Sequence, residues 1–253
     1  MKVDRVNNDV LAGVRVLDFG HALAGPFAAT LLADFGADVI KVERPGTGDA
    51  MRDLGPEGPS GRAWWKSMGR GKRCIALDWK NPLSRPVVER LVRVSHVFLE
   101  SFRPGVLEKN GLGPDTLHGW NPDLVILRVS GYGQTGPYSE RPGFGKAAEA
   151  LSGLCDLTGF ADGPPLHPGF PMGDMTTGLM GAFGVMLALP FIGHEAKGAT
   201  RWIQFGGFTF QPSEYMKPAL VILVAWMFAE GQKGQGVPGV SIAFGLFAVS
   251  VGL

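Results

Sequence analysis

The chain has only two cysteines, Cys74 and Cys155, and neither stands at a CxxC or other ligand-like spacing. That excludes a disulfide framework and a cysteine-built metal site, so no metal is expected. The two thiols are most simply buried side chains of a protein in a reducing compartment. An excess of one charge is also missing. The formal net charge is +1 and no block of like charges occurs, which leaves no electrostatic case for nucleic acid as a partner. Any recognition of anions must therefore be local. No GxGxxG is present, which removes the dinucleotide fingerprint and disfavours a nicotinamide enzyme. Internal repeats and low-complexity segments are absent too. Residues 1–14 (MKVDRVNNDVLAGV) mix acids and bases without a long apolar core, unlike a secretory leader, and the first part of the chain is expected in the cytoplasm.

What is present is enough for one large or two ordinary domains. The charge is unevenly spread over the 253 residues. Residues 190–253 hold seven charged side chains (Glu195, Lys197, Arg201, Glu214, Lys217, Glu230, Lys233), whereas the preceding 189 residues hold 40. Residues 237–253 (VPGVSIAFGLFAVSVGL) carry none; a membrane span needs about 20 apolar residues, and this run is most of one. The chain divides on composition into 1–189 and 190–253.

In the first part, residues 15–19 (RVLDF) read as a strand, GHALAGP as a turn, FAATLLADFGA as a helix and 38–43 (DVIKVE) as a second strand. This is a βαβ unit, the building block of a parallel sheet. Strands follow at 74–77 (CIAL), 97–100 (VFLE) and 124–129 (LVILRV), with a helix at 86–94 that carries Pro in its first turn. The alternation predicts an open, mostly parallel Rossmann-like α/β sheet with flanking helices. Residues 131–145 (GYGQTGPYSERPGFG) form a loop beyond a strand's carboxyl end. Its glycines serve either close approach to a ligand or plain tight turns. Residues 146–154 (KAAEALSGL) read as a short amphipathic helix.

Asp174 ends a Pro/Gly-rich run, DGPPLHPGFPMG, and precedes residues 175–193, which contain no charge. A carboxylate partly desolvated at such a junction can act as a nucleophile. The commoner use of Asp before an apolar helix is an N-cap. The charge-free segment is read as a buried core helix over its first half rather than a membrane span, because it is rich in Gly and Thr.

In order along the chain stand GVRVLDFGHALAGPFAATLLADFGADVIKVERPGTGD, GKRCIALDWKNP, LESFRPGVLEKNGLG, SGYGQTGPYSERPG, AEALSGL and, after DGPP, GDMTTG. Together they closely resemble the family III CoA-transferases, the CaiB/BaiF or formyl-CoA transferase family, from about residue 13 to 189. The resemblance implies transfer of CoA between carboxylic acids through an aspartyl-CoA thioester. Asp174 is implied as the nucleophile, with acyl-CoA and an acceptor acid as substrates. By motif position it further implies CoA contacts at His21, Leu23 and Ala24, at Arg44, at Leu77 and Lys80, and at Phe102, Arg103 and Lys109. Read without the family, Arg44 and Lys80 are ordinary solvated charges, Leu77 and Phe102 core residues, and His21 a turn histidine. Ser101 stands where the family commonly has Asn, and Gly145 where some members have Tyr.

Family members are interlocked homodimers whose long C-terminal portion supplies a second domain and a mobile glycine loop; the residues after about 189 do not resemble it. They resemble instead an internal piece of the FtsW/RodA glycan polymerases, in GATRWI and FQPSEYMKPAL. The expectations are a junction near 186–190, impaired turnover, a membrane contact through 200–253, and two membrane-helix pieces at 218–229 and 237–253. An amphipathic lead-in through Trp202, Phe205, Phe208 and Phe210 would precede them. A membrane-associated cell-division or cell-shape fragment is the alternative function.

Overall fold

A computed structural model describes residues 10–59 and 61–191, together with the backbone of 203–205 and 208–210. Residues 8–194 make one compact unit. In chain order its elements are β1 (Arg15–Asp18), α1 (Ala24–Asp34), β2 (Asp38–Glu43), a small ribbon of β3 (Glu57–Gly58) and β4 (Gly61–Arg62), α2 (Ala63–Met68), β5 (Lys72–Ala76), α3 (Arg85–Arg93), β6 (Val97–Glu100), α4 (Val106–Lys109), α5 (Pro114–Trp120), β7 (Val125–Arg128), α6 (Gly145–Leu151) and α7 (Met172–Ala188). Five strands form one sheet in the order β5-β2-β1-β6-β7. Every neighbouring pair in it is parallel. The second unit takes the remaining residues, of which only an antiparallel pair is described, β8 (Ile203–Phe205) and β9 (Phe208–Phe210).

The central strands are covered on both faces, which is why they read as nearly continuous apolar runs. Alternate residues point to opposite layers. Val16, Val39, Val97 and Leu99 join Ala28, Ala29 and Leu32 of α1 and Ala182 and Val185 of α7 in one cluster. Leu17, Ile40, Val42 and Phe98 join Val88 and Val92 of α3, Leu107 of α4 and Leu117 of α5 in the other. Each fully buried Leu, Val or Phe contributes about 1.5–3 kcal/mol by leaving water. These two clusters hold the three layers together.

β2 and β6 have the bounds expected of them. β5 begins two residues before the expected 74–77; it is an edge strand, largely exposed, and lacks the apolar run that marks a central strand. Cys74, on β5, is exposed and not buried, whereas Cys155 is buried. α1 starts at Ala24, earlier than its apolar periodicity suggested, because Pro26 sits in the first turn, where its missing N–H breaks nothing. It ends at Asp34, and the chain turns away at Gly36, whose φ of +96° is a conformation open to glycine at little cost.

α7 is not the buried helix expected. Only Gly178, Ala182 and Val185 are buried, while Leu179, Met180 and Phe183 are exposed. Small residues line the buried side because α1 lies close: a Cβ on Gly178 would stand 2.7 Å from the Ala24 carbonyl oxygen and 2.9 Å from Phe27.

Among the described residues no helix is long and apolar enough to cross a membrane. Where the amphipathic lead-in was expected, 203–205 and 208–210 are strands. The expected membrane pieces at 218–229 and 237–253 lie outside the described residues.

Candidate active site

β1 and β6 are neighbours, yet the chain leaves β1 toward α1 on one face and β6 toward α4 and α5 on the other. Their carboxyl ends therefore border a crevice at the topological switch point, where open α/β sheets take ligands. The two turns that leave these strands are held from beneath by buried carboxylates. Asp18 Oδ1 accepts the Gly20 N–H at 2.9 Å, and Glu100 Oε2 accepts the Phe102 N–H at 2.6 Å. Ser101 ties the turns together: its Oγ accepts the His21 N–H at 2.9 Å and donates to the His21 carbonyl at 3.1 Å.

Both carboxylates are paired. Asp18 lies 2.9 Å from Lys72 Nζ and 3.7 Å from Lys41 Nζ; burial opposes its charge, but the two lysines outweigh burial and hold it below the usual carboxylate range. Glu100 meets Arg128 at 2.7 Å, yet there burial prevails and its carboxyl is pushed up. Lys41 donates to the Gly20 carbonyl at 2.6 Å and meets Asp49 at 2.8 Å. Asp49 Oδ1 in turn accepts the Ala22 N–H at 3.3 Å. Ala22 has a φ of +62°, a left-handed conformation that costs a non-glycine residue about 1–2 kcal/mol, and this network offsets the cost.

Above the turns lies a cleft of about 390 Å³. It brings together His21, Leu23, Ala24, Arg44, Lys80, Phe102, Arg103 and Asp174, eight of the ten residues singled out in the sequence. An adjoining hollow of about 440 Å³ shares His21, Arg44, Lys80 and Phe102 with it and is walled by Trp79. Lys109 lies in neither, but in a third hollow of about 330 Å³, with Lys80 and Arg85. Leu77 packs against the core below and lines none of the three. Phe102 stacks between the His21 ring at 5.3 Å and Trp79 at 5.0 Å, so the aromatics form a continuous wall.

Asp174 is in the first turn of α7, not at its cap: the N-cap residue is Pro171, and no side chain caps the helix. The capping role considered from the sequence is therefore absent. Two glycines permit the close approach that puts the carboxylate here. A Cβ on Gly173 would lie 2.6 Å from the Gly145 carbonyl oxygen, and one on Gly145 would lie 2.5 Å from Asp174 Oδ2. Burial pushes the Asp174 carboxyl above its ordinary range, the charge of Glu149 adds to this, and a Gly145 backbone hydrogen bond opposes it.

Among the described residues Asp174 is the one acidic side chain on the cleft, whereas Arg44, Lys80, Arg103 and Arg141 bring four cations. The arrangement suits a polyanionic ligand presented to a single carboxylate. The sequence reading missed Arg141, the buried pair Lys41 and Lys72, and Glu149. Ser101 was noted only as a departure from a motif. The signal for Lys41 was a charge in the middle of an apolar strand; Arg141 and Glu149 gave none.

A family model described as CoA-transferase family III matches residues 11–247. Succinyl-CoA–D-citramalate CoA-transferase of Chloroflexus aurantiacus is 49% identical over 180 residues, covering 71% of this chain and 45% of that protein. The beta subunit of succinyl-CoA–L-malate CoA-transferase from the same organism is 49% identical over 181 residues, with the same coverages of 71% and 45%. A crystal structure of a CaiB/BaiF family protein from Brucella suis superposes with a TM-score of 0.68 at 38% identity, covering 72% of this chain and 49% of that one. The chain thus spans under half the length of the curated relatives it matches. The family match runs across the junction expected near 186–190 and on through most of the tail. Nothing in these comparisons supports the FtsW/RodA-like reading of that tail.

Proposed function

The chain belongs to CoA-transferase family III, and from that premise we propose that it binds acyl-CoA in the switch-point cleft, with Asp174 as the acyl acceptor of an acyl-CoA:carboxylate CoA-transferase. The observation that carries this reading is one half-buried carboxylate facing four cations in a cleft at the strands' carboxyl ends. Moving CoA between two acids calls for a third acid that can exchange places with each. An Asp174 oxygen attacks the thioester carbonyl carbon, the C–S bond breaks and the CoA thiolate leaves, giving a mixed anhydride. The thiolate then attacks the aspartyl carbonyl carbon, the anhydride C–O bond breaks and the donor acid departs as its carboxylate. The resulting aspartyl-CoA thioester is opened by the acceptor acid through the same steps in reverse.

In this reading Arg44 and Lys80 face the phosphates of CoA, as two cations shared by adjoining hollows. Lys109, with Arg85, extends the basic track outward. His21 and Phe102 supply an apolar and stacking surface. Relatives named for succinyl-CoA make a dicarboxylic acyl donor the first class to try.

The test is to incubate the full chain with succinyl-CoA and search by mass spectrometry for CoA attached to Asp174. The wild type gains the adduct and Asp174→Asn does not. A folded wild type that neither binds CoA nor forms an adduct overturns the reading, as does an adduct that survives in Asp174→Asn.

A further inference from the structure

Glu149 is 3% exposed, although Ala148 and Ala150 on either side of it in α6 are exposed. Both of its oxygens are engaged. Oε1 accepts the Gly173 N–H at 2.9 Å, the amide immediately before Asp174. Oε2 lies 3.1 Å from His167 Nδ1, and that nitrogen lies 3.3 Å from Cys155 Sγ. One carboxylate thus joins α6, the loop that carries His167, and the first turn of α7. The Gly173 N–H is among the donors that a helix leaves without an intrahelical partner, and α7 has no side-chain cap of its own. Glu149 supplies from a neighbouring helix what the local sequence omits.

From this geometry we propose that Glu149 is the positioning residue of the Asp174 site, clamping the amide before Asp174 so that the carboxylate faces the cleft. The proposal rests on Asp174 being the acyl acceptor. It also accounts for the two carboxyls titrating apart. The Gly173 amide holds Glu149 below its ordinary value; burial works against this, and His167 and Lys146 add to it. Asp174 is pushed up by burial and by the Glu149 charge. The other charged side chains lining the cleft are Arg44, Lys80, Arg103 and Arg141. Two carboxyls set to different tasks by their surroundings are a recurrent arrangement in active sites. A more basic carboxylate is the better nucleophile while it stays ionised at neutral pH.

Two variants of the full chain separate the clamp from the charge. Glu149→Gln keeps an oxygen for the Gly173 N–H and removes the charge, whereas Glu149→Ala removes both. Two measurements are made on each: the rate of CoA-adduct formation with succinyl-CoA, and the carboxyl titration of Asp174 by carbon-13 NMR, assigned with Asp174→Asn. In Glu149→Ala the adduct rate falls by roughly tenfold or more, with near-UV circular dichroism retained. In Glu149→Gln the Asp174 midpoint drops while most of the neutral-pH rate survives. A Glu149→Ala protein with the wild-type rate, or an Asp174 midpoint unmoved in both variants, overturns the proposal. Should the wild type itself form no adduct, the proposed function fails, and the NMR titration still decides what Glu149 does.

Discussion

Lys41→Met removes one ammonium from a buried cluster whose charges balance, two lysines against two aspartates. Lys41 and its partner Asp49 are 1% and 2% exposed at their side chains. Asp18 keeps Lys72 at 2.9 Å after the change, so the deficit falls on Asp49. Among the described residues its Oδ2 makes one ion-pair contact, to Lys41 at 2.8 Å. At an effective dielectric of about 20, that attraction is roughly 6 kcal/mol in gross terms, and the cost of desolvating both ions cancels much of it. What the variant feels is the uncompensated carboxylate left behind, about 3–5 kcal/mol. The Gly20 carbonyl also loses its donor at 2.6 Å, which adds about 1 kcal/mol. For a domain of this size each kcal/mol lowers Tm by about 2–4 °C, so a drop of roughly 10–20 °C is expected. Urea melts at neutral pH measure the free energy directly. The double variant Lys41→Met with Asp49→Asn removes both charges and should recover more than half of the loss. A Lys41→Met protein within about 0.5 kcal/mol of wild type, or a double variant no better than the single one, would refute the view that Asp49 depends on Lys41.

Two further outcomes follow from the same geometry. Gly145→Ala places a methyl 2.5 Å from Asp174 Oδ2 and 2.8 Å from the Asp174 backbone nitrogen; stability falls by about 1–3 kcal/mol and adduct formation drops by at least roughly tenfold, and an unchanged adduct rate counts against the site as drawn. Burial works against the charge of Glu43, but the Arg52 guanidinium, Cys74 and the Asp49 amide bring its pKa down from 4.5 to about 2. A folded-state pKa below the unfolded one means that this stabilisation is complete above about pH 4.5 and disappears as pH falls toward about 2. The stability gap between wild type and Arg52→Ala, followed by denaturant melts from pH 6 downward, should therefore narrow across that window. A gap that stays constant contradicts the assignment.

Adjacent-residue patterns revealed much of this protein. β2 and β6 were placed to the residue because strands covered on both faces are nearly continuous apolar runs. β5 was displaced because an edge strand has no such run, and the same exposure makes Cys74 accessible where burial was expected. The charge-free segment 175–193 was read as a core helix over its first half because it is rich in Gly and Thr. Its small residues cover α1 while Leu179, Met180 and Phe183 stay exposed, a distinction that hydropathy does not contain. The strands at 203–205 and 208–210 stand where an amphipathic lead-in to a membrane helix was expected.

Sequence by itself determined the α/β class, the parallel sheet and the motif series that marks Asp174 and most of the cleft, since each is carried by periodicity or by contiguous residues. Only the tertiary structure decided which residues act together. The crevice exists because β1 and β6 became neighbours although Val97, where β6 begins, lies 79 positions beyond Asp18, where β1 ends. Glu149 reaches the amide before Asp174 across 24 positions of chain, and Lys109 lines a separate hollow with Lys80 and Arg85. A buried carboxylate is tolerable only where a cation or an amide arrives to meet it. That meeting is a property of three-dimensional packing, and no local window of sequence contains it.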